Sequence, residues 1–82
     1  LMDNLRYPES AQDAGIQGKV MVRFVVERDG SATAVEIYKG VDPALDKEAI
    51  RVVKSVPKWK PGKQQGKPVR TRFVVPIVFS LQ

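Results

Sequence analysis

These 82 residues contain no histidine and no cysteine, so the commonest general base, the commonest metal ligand and all thiol chemistry are missing. Carboxylates, lysines, arginines and hydroxyls remain. Asp29, Asp42, Asp46 and Glu48 fall where a turn, a helix cap or a helix dipole calls for an acid, and none belongs to a cluster with metal-ligand spacing. Ser10, Ser31, Ser55 and Ser80 have no imidazole to take their proton, and no glycine-rich loop has phosphate-binding spacing. The reading is a non-enzyme with no cofactor and no metal. What is left for recognition is exposed backbone.

One stretch offers it. From Val69 to Leu81 the odd positions, Val69, Thr71, Phe73, Val75, Ile77, Phe79 and Leu81, are almost all apolar, whereas Arg70, Arg72 and Ser80 are polar. That alternation predicts a half-buried strand. Pro76 lies in its middle, and a residue without an N–H belongs on an edge strand with its nitrogen turned from the neighbour. The outer edge is therefore expected to be open, as an aggregation hazard or as a rail for an extended peptide.

The other candidates for recognition are cations and aromatics. Before residue 49 the chain has six basic and nine acidic side chains; from there on it has eight basic and none acidic. Such a basic half is usually a solvated face, or else attracts an anionic partner. Among Lys58, Lys60, Lys63, Lys67, Arg70 and Arg72, the last two flank the open edge and are assigned to acidic residues beside a docked segment. Trp59, between two lysines and ahead of Pro61-Gly62, more often plugs the end of a core than stacks on a base. Tyr7 is left open between core and contact surface.

The elements that must position these residues follow from pattern. Residues 1–6 are expected to be disordered or a linker remnant, and residues 7–82 one domain. Tyr7 to Gly15 reads as a short helix, with Pro8 at its first position and Gly15 as its stop. Gly18 opens a strand with Val20, Val22, Phe24 and Val26 on one face. Asp29-Gly30 supplies a tight turn, and Ala32 to Lys39 is the returning strand. Asp42 caps a long helix with Pro43 at its start and Leu45, Ala49, Val52, Val53 and Val56 on one stripe, ended by Pro57. Lys58 to Pro68 reads as a basic loop. The fold class is α+β: a three-stranded antiparallel sheet, order 2-1-3, with the long helix on one face and a short N-terminal helix. That order puts the last strand on an edge, where Pro76 independently requires it.

Tyr7-Pro8 with Ala11, Gly15 and Gly18, the Val-x-Val-x-Phe-x-Val strand ending in Asp29-Gly30, Val35-x-Ile37 with Gly40, and Trp59-x-Pro61-Gly62 before a long apolar strand together resemble the C-terminal domain of TonB-family energy transducers. The resemblance runs from about Tyr7 to Leu81, and the Trp-Lys-Pro-Gly-Lys segment looks like a Bacteroidetes-type form. It implies a periplasmic domain of an inner-membrane-anchored protein, coupled through a missing N-terminal part to a proton-driven motor complex. It implies capture of the TonB box of an outer-membrane TonB-dependent transporter, by strand addition, to drive nutrient import. Carried onto this chain, the docking strand is Val74 to Leu81, with Val74, Val75, Ile77, Val78, Phe79, Ser80 and Leu81 as contacts and Tyr7 and Pro8 nearby. Pro76 departs from members with an N–H there, and implies one missing rung.

Three other readings stand beside this one. A small basic nucleic-acid-binding module would need aromatics on an exposed sheet face, whereas Phe24, Phe73 and Phe79 fall on core faces, so no nucleic-acid partner is expected. A TonB-like domain fused to a different membrane sensor is the second, and a strand-exchanged homodimer through the open edge the third.

Overall fold

The structure, a computed structural model, describes residues 4–81. Its order is α1 (Glu9–Asp13), β1 (Gly18–Val26), β2 (Ala32–Lys39), α2 (Pro43–Ser55), β3 (Lys63–Gln64), β4 (Lys67–Pro68) and β5 (Thr71–Phe79). The main sheet is antiparallel and ordered β2-β1-β5, as the sequence reading has it, with β1 in the centre.

The alternation of β1 decides where the core lies. Val20, Val22, Phe24 and Val26 are buried on the helix side, where they meet Leu45, Ala49 and Val53 of α2, Ala11 of α1, and Ile77 and Phe79 of β5. Burying one such side chain contributes about 1.5–3 kcal/mol, so this single cluster must carry most of the stability. Asp42 caps α2 as expected, accepting hydrogen bonds from the N–H groups of Ala44 at 3.0 Å and Leu45 at 3.4 Å. At the other end Val56 leaves the stripe. The residue before a proline is pushed out of helical conformation, and Val56, at φ −72° and ψ 118°, becomes the C-cap ahead of Pro57.

Two local expectations need correction. Pro8 lies outside α1, in an extended conformation at the N-cap, and the helix begins at Glu9. Gly15, at φ +68°, does stop that helix, with Ile16 N–H returning to the Ala11 carbonyl at 2.9 Å. The basic segment before the last strand contains a small hairpin: β3 pairs with β4 through Gln65 and Gly66, both at positive φ. Its strands are too short for any hydrophobic period, and Gln-Gly is a weaker turn signal than Asn-Gly or Asp-Gly.

Turn chemistry at the β1–β2 hairpin also holds the loop after α2. Gly30, at φ +91°, donates to the Glu27 carbonyl and accepts from Trp59 N–H at 2.8 Å. A Cβ there would come within 2.7 Å of the Trp59 carbonyl oxygen, so glycine is required twice over. Trp59 is thereby seated over Phe24, ring centroids 4.8 Å apart, with its indole N–H on the Val53 carbonyl at 3.3 Å. It closes the end of the core.

Residues 1–3 and Gln82 lie outside the described range, so the expected unstructured lead is described only over residues 4–6. There Arg6 N–H donates to Glu48 at 2.7 Å, and Arg51 bridges Glu48 and the Asn4 carbonyl. Arg51, ahead of the Arg6 N–H, holds the Glu48 carboxyl below its ordinary range.

Candidate strand-docking edge

Which way each backbone group of β5 points can be worked out from β1. Glu27, the residue after β1, donates its N–H to Ser31 on the β2 side at 2.9 Å. Because β1 is regular and the extra residues of its two bulges lie in β2, the odd residues of β1 face β2 and the even ones face β5. Even residues of β1 oppose odd residues of β5: Val20 faces Ile77, Val22 faces Val75, and Phe24 faces Phe73. The odd residues of β5 therefore make the ladder to β1. Arg72, Val74, Pro76 and Val78 turn their backbone groups outward, where the sheet has no further strand among the described residues.

Pro76 thus costs the central ladder nothing. It deletes one donor from the free edge and leaves the N–H groups of Val74 and Val78, with the carbonyls around them, unpaired by any strand. Against β1 the register runs unbroken over nine residues, from Gly18 opposite Phe79 to Val26 opposite Thr71, and no bulge interrupts it. The edge is long and free of bulges, which favours the addition of a strand.

Side chains divide by the same parity. Ile77 and Phe79 are fully buried and Val75 half-buried, so these three hold β5 on the core and present no side chain to the edge's open face. Val74 and Val78 are exposed, 42% and 47%, on the face away from α2, and Ser80 is exposed beyond them. Leu81 is tied back, its N–H on the Gln17 side chain at 2.7 Å. On the same open face Val78 lies opposite Lys19, Pro76 opposite Met21 and Val74 opposite Arg23. Arg23 pairs with Glu36 at 3.1 Å and covers the Tyr38 ring at 5.5 Å. Met21 and Tyr38 escaped the sequence reading, and the bulged register of β2 hides Tyr38 from simple alternation.

The two arginines separate. Arg70 is bound to Glu27 at 2.9 Å, whereas Arg72, opposite Val25, has no ion pair among the described residues. The Glu27 carboxyl is held below its ordinary range first by the Thr33 hydroxyl and then by Arg70. Tyr7 is half-buried, hydroxyl on the Ile16 carbonyl, ring edge-on to Phe79 at 5.5 Å, and so braces the end of β5 from beneath. Pro8 lies elsewhere: it lines a shallow groove of about 320 Å³ with Arg6, Ala44, Lys47, Glu48 and Arg51.

Other chemistry finds little footing. No group of three His, Cys, Asp or Glu side chains is placed to hold a metal among the described residues. The acids have structural partners instead: Asp29 accepts from Ser31, Asp46 from Val41 N–H, and Glu48 from Arg51. Phe24 and Phe79 are buried and Phe73 packs on the core, leaving Tyr38 as a lone exposed aromatic rather than a row on which bases could stack.

Known proteins resemble this chain over almost its whole length. A family model described as Gram-negative bacterial TonB protein C-terminal matches residues 3–81. Protein TonB of Helicobacter pylori, from strains ATCC 700392 / 26695 and J99 / ATCC 700824, is 35% identical over 79 residues, which are 94% of this chain and 26% of each relative. The chain thus spans about a quarter of the length of these curated relatives. Two NMR solution structures of the Helicobacter pylori TonB C-terminal domain superpose with TM-scores of 0.78 and 0.74, at 31% and 30% identity. They cover 98% and 95% of this chain, and 72% and 82% of their own. With the family pattern, the sheet order and the superposition in agreement, this chain belongs to the family of Gram-negative bacterial TonB C-terminal domains.

Proposed function

We propose that this domain, residues 7–82, is the periplasmic, non-catalytic adaptor of an energy transducer anchored in the inner membrane. It binds the TonB box of outer-membrane TonB-dependent transporters as an added strand beside β5, and passes on work from a proton-driven motor complex. The observation that carries this reading is the free edge of β5, whose Val74 and Val78 N–H groups have no strand partner among the described residues. Main-chain hydrogen bonds supply affinity in such docking, and pockets for alternate side chains supply choice of partner. Here the alternate side chains of the guest lie beside Val74, Pro76 and Val78 on the open face, or beside Phe73 and Val75 on the helix side. Arg72 attracts acidic residues flanking the docked segment; Arg70 is already bound to Glu27 and contributes less. The Bacteroidetes-like form of Trp59 to Lys63 rests on resemblance alone.

A solution NMR titration with a TonB-box-like peptide tests this, run beside a short single-stranded oligonucleotide at two salt concentrations. Amide shifts centred on Val74 and Val78 are the expected result. An exposed charge pair is worth at most ~1 kcal/mol, so added salt should slow association more than it weakens the complex. If the peptide leaves β5 untouched while the oligonucleotide shifts Lys58 to Arg72, the adaptor reading is wrong.

A further inference from the structure

Phe73 to Phe79 is seven residues without a charge, rich in β-branched and aromatic side chains, and it forms an unbulged edge. Such a segment is a template for pairing with itself. A second copy is the partner always present, and it offers the same exposed Val74 and Val78. Lysines, bulges or a covering helix usually blunt an edge of this kind, and between Phe73 and Phe79 the only interruption is Pro76.

We propose that Pro76 is the specificity-determining residue of this edge, set against β5–β5 pairing of two copies while a single foreign strand is still accepted. This rests on the reading of β5 as a docking edge. The outward residues of β5 are Arg72, Val74, Pro76 and Val78, so every register that pairs two copies over the middle of the strand brings a proline from each. Centred on Pro76, the two prolines face one another and both rungs vanish. Shifted by one rung, each proline faces a Val74 or Val78 of the partner and again leaves a carbonyl without a donor. Two hydrogen bonds are lost whichever register is chosen, unless the overlap shrinks to the strand ends. A foreign strand without proline loses one.

The penalty falls on unpaired acceptors rather than on shape. A valine at this position would keep the apolar surface and restore the N–H, its nitrogen facing outward as Pro76's does now. One bond of net strength near the usual value changes an equilibrium by roughly fivefold, and two by roughly 10- to 100-fold.

The experiment compares wild type with Pro76→Val by sedimentation equilibrium over a wide concentration range, with the peptide titration repeated on both and circular dichroism confirming the fold. Pro76→Val is expected to dimerise roughly 10- to 100-fold more tightly than wild type, and to bind peptide only about fivefold more tightly. The double variant Pro76→Val/Val78→Pro, which moves the missing donor along the same edge, is expected to return to the wild-type association state. Equal association of wild type and Pro76→Val at every concentration overturns the proposal, as does a double variant that stays dimeric. If Pro76→Val dimerises and neither protein binds peptide, the block on self-pairing stands and the docking reading falls instead.

Discussion

β2 and β5 both border the sheet, yet they are made unlike one another. β2 pairs with β1 through two register shifts, holds Ala34 at φ +51°, carries Glu36 and Lys39, and lies against α2. β5 pairs over nine residues without a shift and carries one charge, Arg72, at its start. Bulges twist an edge and charges repel a second sheet, so β2 is closed to addition by several devices at once. β5 keeps its ladder geometry and gives up a single donor. The proposed docking role accounts for this difference: the edge left unused is distorted, whereas the edge offered to a guest is regular and lacks one donor.

The sharpest test of that contrast lies within β5, where neighbouring residues have opposite duties. Ile77→Ala removes a fully buried side chain and is expected to cost about 2–5 kcal/mol in urea unfolding. Val78→Ala, one residue on, is expected to cost under ~1 kcal/mol because its side chain is half exposed. Equal losses would break the parity on which the edge assignment depends. Next in size, Val78→Pro removes another outward N–H without touching the ladder to β1, and should weaken peptide binding roughly fivefold with the fold retained. Wild-type affinity in that variant would mean that the guest does not bond this edge.

The β2 side gives smaller effects. Ala34→Gly relieves a left-handed alanine, which costs about 1–2 kcal/mol, against a loss of about 0.4–1 kcal/mol from the freer unfolded chain. A net gain of up to about 1.5 kcal/mol in thermal or urea unfolding is expected, and a loss would show that the bulge needs its Cβ. Smallest is the tie between the two edges at one end of the sheet, where Glu27 accepts from Thr33 of β2 and from Arg70 just before β5. Its carboxyl is held low, by Thr33 first, so its stabilisation is present above the unfolded pKa of about 4.3 and is lost as pH falls through the lower folded value. Glu27→Gln should therefore lower the melting temperature near neutral pH, and the difference from wild type should narrow as pH falls below the ordinary carboxylate range. A difference independent of pH would assign the effect to packing.

Much of this architecture is legible in local pattern because each signal has one dominant cause. The period-two rows of β1 and β5, the Asp29-Gly30 turn, and Asp42-Pro43 with its stripe to Val53 all name their elements. Pro76 even names the edge, since an absent N–H has no place in a central ladder. The start of α1 was less legible, because a proline serves both at the first helical position and just before it. The hairpin of β3 and β4 was illegible, because four residues carry no period. At the candidate site, pattern gave the strand and its open side but not the division of labour along it. Arg70 and Arg72 look alike in sequence, and only the fold brings Glu27 to one of them.

Local pattern is enough to dictate the set of elements, their order and the presence of an edge with a proline in it. Those follow from alternation, caps and the chemistry of one ring nitrogen, all of which act within a few residues. The packed fold alone settles that Arg70 meets Glu27, that Tyr7 braces Phe79 while Pro8 turns to α2, and that Tyr38 shares the open face with Arg23. These depend on register across strands and on bulges in β2, where one added residue moves every later side chain, and register is fixed by packing between residues far apart in the chain.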